Sequence, residues 1–416
     1  MQRRRKHFSV KQSHADCLPS AYPVFWACMP DVKIVVIGGG GTGAALVHDL
    51  ALRGFEAVLL ERGELTSGST GRHHGQLHCG ARYAVSDAGI AVSCRKESAI
   101  LERIASRSIE FNYGLFVALT DDDADYCETF LSACAECGIA TRTLAPAQAL
   151  QMEPNLNPGL RLAVLVPDGT FDAWRLPLQF FASARGNGAD IRSFSEVIEI
   201  ERSGGSVQGV RVLDYSSGRE YSLKADLVIN AAGAWAGGVA ATAGVDVPVN
   251  PAPGVLVAVE GRLCNMVLSR LRPAADGDII VPQRNMCIVG STQWETADPD
   301  LVEVPPGHRE KLLGLADQML PGFSGSPARA TWSAVRPLCR RDSGAGGHAL
   351  SRAFFCQDHE TTDGLKGMIT VIGGKATVLR AMAETAVDLA CTKVGLDIAC
   401  TTRAVELMSH RSFIAG

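Results

Sequence analysis

The 416 residues carry 40 lysines and arginines against 44 aspartates and glutamates, a formal net charge of −4 that leaves no overall basic footprint for nucleic acid or an anionic membrane surface. With 46% hydrophobic and 20% charged residues, the chain can bury a large core and reads as a globular α/β protein of two domains. Its 13 cysteines have no repeated spacing, which argues against a disulfide framework and for a reducing compartment.

Residues 1–30 differ from the rest. Arg3-Arg4-Arg5-Lys6 would suit the start of a signal peptide, but Ser13, His14, Asp16 and Pro19 interrupt the stretch after it, so a disordered extension is expected there. No run of 18 apolar residues occurs anywhere, so no spanning helix is expected.

Ile34–Ile37 has the uninterrupted apolar pattern of a buried strand and runs directly into Gly38-Gly39-Gly40-Gly41-Thr42-Gly43. A helical pattern continues to Arg53 and stops at Gly54; a second strand closes with Glu61, 23 positions after Gly38. In a dinucleotide-binding unit, Gly38 permits the tight turn, Gly40 lets backbone approach a pyrophosphate and Gly43 lets helix pack on strand. The helix N-terminus then faces the phosphates, and Glu61 stands where a carboxylate receives ribose hydroxyls. The alternative is a glycine-rich turn in some other α/β domain.

Beyond Tyr83 a helix is expected through Ile104, then a strand at Gly114–Leu119. Next comes a helix that Asp121-Asp122-Asp123 caps at its positive end rather than binding metal. Cys134 and Cys137 lie on that helix, with no second pair to complete a metal site. Leu160–Val166 and the turn Pro167-Asp168-Gly169 lead to a helix at Trp174–Arg185 and a three-strand meander, Ser195–Glu201, Val207–Asp214 and Glu220–Ala225. A buried strand then ends in the small residues Asn230-Ala231-Ala232-Gly233, as a sheet requires where backbone meets cofactor.

From Val247 to Pro337 the pattern changes to short strands with a helix at His308–Leu320. Gly367–Gly374 returns as a buried strand, followed by a long helix from Lys375 to Lys393. The expected architecture is a Rossmann-like nucleotide domain in three segments, 31–105, 172–246 and 340–405. A mostly antiparallel α+β substrate domain, 106–171 and 247–339, is inserted into it, and a tail covers 406–416.

The stretches VVIGGGGTGAA, TSGSTGRHHGQLHCGARYAVSDA, VPDGTFDAWRL, VINAAGAWA, IVGST, SAVRPL, the run from LSRAFF to VIGGK and the closing CTT resemble the FAD-dependent glycerol-3-phosphate dehydrogenases. The likeness is strongest to the large subunit of the anaerobic bacterial enzyme, within the glycine/D-amino-acid oxidase superfamily, and covers residues 32–402. It implies FAD, a glutathione-reductase/D-amino-acid-oxidase type of fold, and oxidation of sn-glycerol 3-phosphate to dihydroxyacetone phosphate with electrons passed to a quinone or partner subunit. The chain departs from that family where it stops at Gly416 without a cysteine-rich extension, where Ala376-Thr377-Val378-Leu379 follows Gly373-Gly374-Lys375, and at Ala334, where the family has glycine. An amine, amino-acid or 2-hydroxy-acid oxidase or dehydrogenase on the same fold is the alternative, because paired arginines bind carboxylates equally well.

Within that frame the cofactor set comprises the Gly38–Gly43 loop (Gly38, Gly40, Gly41, Thr42, Gly43) with Glu61 and Arg62, then Ser67, Ser69, Thr70, His74 and Gly75 in the next loop. Val197 is placed against adenine through its backbone, and Ala232 and Gly233 against the pyrophosphate. Gly373 and Gly374 open a helix whose N-terminus would face the reduced flavin, with Lys375, Ala376 and Thr377 beside it and the Lys375 charge added there. Arg82, Arg336 and Arg352 match family positions and would converge on a phosphomonoester, Arg82 alternatively lying beside the reacting hydroxyl. His78 is the candidate general base, since an imidazole titrates near neutrality and arginine does not; a hydrogen-bonded structural histidine is the equal alternative. His74 and His359 read as structural first. Cytoplasmic localisation is expected, with peripheral attachment to the inner face of the cell membrane left open.

Overall fold

The computed structural model describes residues 31–300, 302–343, 347–351 and 353–414. Strand β1 (Lys33–Ile37) is the centre of a six-stranded sheet because its side chains are apolar on both faces. Ile34 and Val36 point into the cluster built by helix α1 (Gly41–Leu52) and the helices Arg175–Gly186 and Leu379–Lys393. Val35 and Ile37 point the other way, onto the meander of Ser195–Ser203, Ser206–Asp214 and Arg219–Lys224. A period of two in a fully apolar strand thus produces three layers: helices, sheet, meander.

The sheet order is Phe354–Asp358, Met368–Gly373, Leu227–Asn230, β1, β2 (Glu56–Leu60), Asp190–Arg192, parallel except at the first pair. The register sets Ile34 against Leu227 and Ile37 against Asn230, so β1, β2 and Leu227–Asn230 end together at Gly38, Glu61 and Ala231. That shared carboxyl end is where such sheets bind ligands.

The second large sheet has nine strands, in the order Gly347–Ser351, Ala328–Ser343, Val249–Glu260, Met286–Gly290, Ile279–Gln283, Val267–Arg270, Gly114–Ala118, Leu162–Val166, Arg142–Leu144. Only Val267–Arg270 with Gly114–Ala118 is parallel, so the expected mostly antiparallel layer is present. The expected boundary at 339/340 falls inside Ala328–Ser343, which carries the pairing on to Gly347–Ser351. The first of the strands expected between Val247 and Pro337 runs over Val249–Glu260. Pro251 and Pro253 are tolerated because their carbonyls accept from the N–H groups of Thr296 and Trp294, so no donor is required of either proline.

A small sheet of Gln76–Leu77, Gly169–Phe171 and Ile109–Glu110 ties the two halves together. Of the tail expected over 406–416, the described residues 406–414 are docked: Phe413 packs on Phe181 with ring centroids 5.8 Å apart, and the Met408 N–H donates to the Ser183 hydroxyl at 2.8 Å. The acidic run after Thr120 forms a capping box, Thr120 with Asp123, and the Asp123 carboxylate also holds buried Arg270 at 2.6 Å.

Candidate active site

The turn after β1 leaves room for backbone and nothing else. Gly38 sits at φ +109°, and a Cβ there would lie 2.7 Å from the Ala231 carbonyl oxygen. A Cβ on Gly43 would lie 1.9 Å from the Gly38 carbonyl oxygen, so this glycine serves the packing of α1 on β1. Helix α1 has at its N-cap Gly40, which offers no side chain to the helix's first N–H groups, and no acid in its first turn, which leaves its positive end available to an anion. The Gly41 N–H is taken by the Thr70 hydroxyl at 2.9 Å. Both Glu61 oxygens are engaged, by the N–H groups of Gly39 (2.6 Å) and Gly63 (2.8 Å), yet a carboxylate retains further lone pairs for ribose hydroxyls.

From this turn a cavity of about 850 Å³ extends to the nine-stranded sheet. The expected nucleotide residues Gly38, Gly40, Gly41, Thr42, Glu61 and Arg62 line it. So do Ser67, Ser69, Thr70, Val197, Ala232 and Gly233, followed by the turn Gly373, Gly374, Lys375, Ala376 and Thr377. His74, His78, Arg82 and Arg336 line the same cavity, so segments far apart in sequence converge on one space.

Gly75 does not line it. At φ +80°, a Cβ on Gly75 would strike the Gln283 amide nitrogen at 2.2 Å and the Phe171 carbonyl oxygen at 2.5 Å, so the close packing of this turn on Gln283 and Phe171 requires the glycine. Gly43 lies beneath the cavity, in the role its packing requires. Arg352 lies outside the described residues.

Arg336 extends from Ala328–Ser343 opposite Ala252. Its guanidinium is held by neutral groups: the carbonyls of Ala252 (3.3 Å), Pro253 (3.4 Å) and Thr292 (3.2 Å), and the Ser291 hydroxyl. Arg82 donates to the Ala275 carbonyl at 3.2 Å and sits 3.7 Å from the buried Asp278 carboxylate, which Arg272 grips through two nitrogens at 3.0 and 2.5 Å. The sequence pattern shows Asp278 only as the start of a strand; its role as the carboxylate that orients Arg82 appears once Arg272 and Ala275 fold around it.

The His73-His74 pair is half-buried on the cavity wall, and both imidazoles are held neutral. Burial pushes His74 down to about 3, with His73, Arg336 and Arg82 adding like charge, and pushes His73 down to about 4 against the pull of Asp172. Nδ1 of His73 accepts the Gly75 N–H at 2.9 Å and Nδ1 of His74 the Gln76 N–H at 3.2 Å, so each ring carries its proton on Nε2. His74 therefore presents a donor.

His78 is buried, its backbone N–H donating to the Thr377 hydroxyl oxygen at 3.2 Å, and its ring meets Tyr83 edge-on with centroids 5.4 Å apart and His74 at 6.3 Å. Lys375 precedes a short 3₁₀ turn, Ala376–Val378, and the helix proper starts only at Leu379. Its ammonium lies 4.0 Å from the centre of the Tyr83 ring, which explains how a cation is accommodated at a helix's positive end. Tyr83 thus joins His78 to Lys375, a role its place in GARY does not disclose. On the nucleotide side, Arg62 stacks 4.7 Å over Trp235 and pairs with Asp300 at 2.6 Å.

A glycine cradle, an open helix N-terminus with a ribose carboxylate beside it, and a cavity ending in arginines and imidazoles define a flavin-dependent oxidoreductase. The chain belongs to the FAD-dependent oxidoreductase (DAO) family, whose model matches residues 33–379, and FAD is its cofactor. It is 40% identical over 371 residues to a subunit of the anaerobic glycerol-3-phosphate dehydrogenase of Haemophilus influenzae, covering 89% of this chain and 66% of that protein. The corresponding Escherichia coli K12 protein is 39% identical over 376 residues, 90% and 69% covered. The chain thus spans about two thirds of the length of these relatives. The fold is shared with glycine oxidase from Bacillus cereus (TM-score 0.72, 22% identity, 87% and 95% covered). It is also shared with the FAD-complexed glycerol-3-phosphate dehydrogenase of Bacillus halodurans (TM-score 0.70, 22% identity, 92% and 70% covered).

Proposed function

We propose that the chain oxidises sn-glycerol 3-phosphate to dihydroxyacetone phosphate, removing the C2 hydrogen as hydride and the hydroxyl hydrogen as a proton. The observation that carries this reading is the convergence of Arg82, Arg336, His74 and His78 in the cavity that begins at the nucleotide turn. The activity for which the bacterial relatives are named supports it. FAD supplies the hydride acceptor when bound.

Arg336, fixed by carbonyls rather than by flexible contacts, and Arg82, aligned by Asp278, give fixed positive charge for a phosphate dianion, with Arg352 as a third candidate from the sequence. His74 offers its Nε2 proton to a substrate oxygen. His78, wedged between Tyr83 and the Thr377 turn, is the base that receives the hydroxyl proton. The buried walls at Tyr83 and His78 exclude water from the reacting carbon.

Electrons then pass to a quinone or to another protein of a multi-subunit enzyme, which the naming of the relatives as subunits supports. The free thiols of the described cysteines support a cytoplasmic location, with peripheral attachment to the inner membrane face as the geometry of electron delivery to a quinone. Among the described residues no helix is long and apolar enough to cross a membrane.

Anaerobic titration of the FAD-loaded protein with sn-glycerol 3-phosphate, glycerol, D-lactate and an amino acid such as glycine tests the reading. Bleaching of the flavin by the phosphate ester alone is expected. Bleaching by D-lactate or an amino acid would transfer the activity to the hydroxy-acid or amine class, and no bleaching by any of them would remove the reading.

A further inference from the structure

His78 stands on a short segment, Gln76–Cys79, that is gripped from two sides. From the FAD side, the Thr377 hydroxyl accepts the His78 N–H at 3.2 Å. From the substrate side, one carboxylate spans the segment: Asp168 accepts the Cys79 N–H at 2.7 Å through Oδ1 and the Gln76 side-chain amide at 2.8 Å through Oδ2. Asp168 is buried, lies in the turn between Leu162–Val166 and Gly169–Phe171, and does not line the cavity.

We infer that Asp168 is the positioning residue of this site, fixing the backbone of His78 so that its imidazole is aimed at the reacting hydroxyl; this rests on the reading of His78 as base. Two observations favour a built clamp over an incidental buried acid. The strand Gly169–Phe171 pairs with Gln76–Leu77, so the carboxylate and the segment it grips belong to one small sheet. The room for Asp168 is made by Gly114, where a Cβ would come 2.9 Å from the Asp168 Cβ and 3.1 Å from Oδ2. A buried carboxylate is costly to keep, and here its oxygens are spent on two donors of the same four-residue segment. Tyr83 and His74 face the His78 ring, with Lys375 beyond Tyr83, while both Asp168 oxygens are bonded to the Gln76 amide and the Cys79 N–H, so Asp168 acts on His78 through the segment's backbone.

The test uses FAD-loaded protein and three variants. Asp168→Ala removes both acceptors and is expected to slow flavin reduction by substrate about 100-fold, the scale of a small misplacement, with KM nearly unchanged because Arg82 and Arg336 are untouched. Asp168→Asn is expected to recover to within about fivefold of wild type. Its amide oxygen accepts from Cys79 and its NH₂ can donate to the Gln76 oxygen, which lacks a partner in the structure, once that amide flips. Gly114→Ala keeps the carboxylate but displaces it, with an expected loss of about tenfold, and carries the test if Asp168→Ala does not hold FAD.

The ¹³Cε1 resonance of His78, identified by its loss in His78→Asn, gives a readout independent of substrate. It is expected to move in Asp168→Ala and in Gly114→Ala, and to stay at the wild-type position in Asp168→Asn. Wild-type reduction rates and an unmoved His78 signal in both Asp168→Ala and Gly114→Ala would overturn the inference. Asp168→Asn as slow as Asp168→Ala would also overturn it, by showing that charge and not placement matters. A wild-type protein that sn-glycerol 3-phosphate does not reduce would defeat the proposed substrate alone, and the resonance would then decide the clamp.

Discussion

At the scale of single residues, the proposed function separates holding charge, assigned to Arg336, from moving a proton, assigned to His78. Arg336 is wedged among carbonyls, so its guanidinium is pre-oriented before substrate arrives. Removing it in Arg336→Ala is expected to lower kcat/KM about 100-fold, near the ~3 kcal/mol of a hydrogen bond to a charged group, with flavin content intact; steady-state kinetics beside the visible spectrum checks this. An unchanged kcat/KM would take the phosphate clamp away from Arg336. His78→Asn tests the other half. Loss of a general base costs about 10²- to 10⁴-fold, so kcat is expected to fall steeply while KM stays near its value, and retained turnover would place the base elsewhere. That both residues line the cavity was legible, because each stands in a motif of chemically apt residues. Tyr83, Asp278 and Asp168 were not, because what they do depends on partners 6 to almost 300 positions away: Arg272 for Asp278, Gln76 for Asp168, Lys375 for Tyr83.

At the scale of elements, the nucleotide unit was the most legible part of the chain, since its glycines answer to steric demands that no other residue meets. Gly43→Ala would set a methyl 1.9 Å from the Gly38 carbonyl oxygen and push α1 off β1. FAD is expected to be lost on purification, and a yellow variant of wild-type flavin content would contradict the packing argument. The long strand Ala328–Ser343 was less legible, because polar residues that look like the end of a strand instead pair with Gly347–Ser351. A quieter feature of α1 is His48, wholly buried against Phe180 with neither ring nitrogen bonded, so burial pushes it down to about 3. Above the unfolded value of 6.5 both states are neutral and nothing depends on pH. Below it the unfolded chain takes up a proton that the fold refuses until about pH 3, so stability is lost across that window as pH falls, by about 1.4 kcal/mol per unit. His48→Leu is expected to be more stable at pH 7 by about 1–2 kcal/mol, the cost of an unbonded buried polar group. Its advantage should grow by about a further 1.4 kcal/mol at pH 5.5, measured by urea unfolding with FAD saturating. An advantage that does not change with pH would mean that His48 finds a partner in solution.

At the scale of the whole molecule, one cavity is shared by both large sheets. Gly38, Glu61 and Ala232 come from the carboxyl end of the six-stranded sheet, while Gly290, Thr292 and Arg336 come from the nine-stranded one, and the loop carrying Thr70, His74 and His78 crosses between them. A ligand seated there touches both halves, so its binding energy is also energy that holds them together. FAD at 100 times its dissociation constant should add about 2.7 kcal/mol to unfolding, and because the term follows ln[FAD], the melting temperature should keep rising with added cofactor. The sharper consequence concerns cooperativity. If the cavity couples the sheets, flavin release and loss of near-ultraviolet dichroism should coincide in one thermal transition of the holoprotein. In the apoprotein that ligand bridge is gone, leaving the small sheet of Gln76–Leu77, Gly169–Phe171 and Ile109–Glu110, direct packing and side-chain bonds such as Arg62 to Asp300 and Trp332 to the Arg72 carbonyl, and the transition should broaden or split. Two separate transitions with FAD saturating would show that the sheets melt independently and that the cofactor is held by the nucleotide half alone.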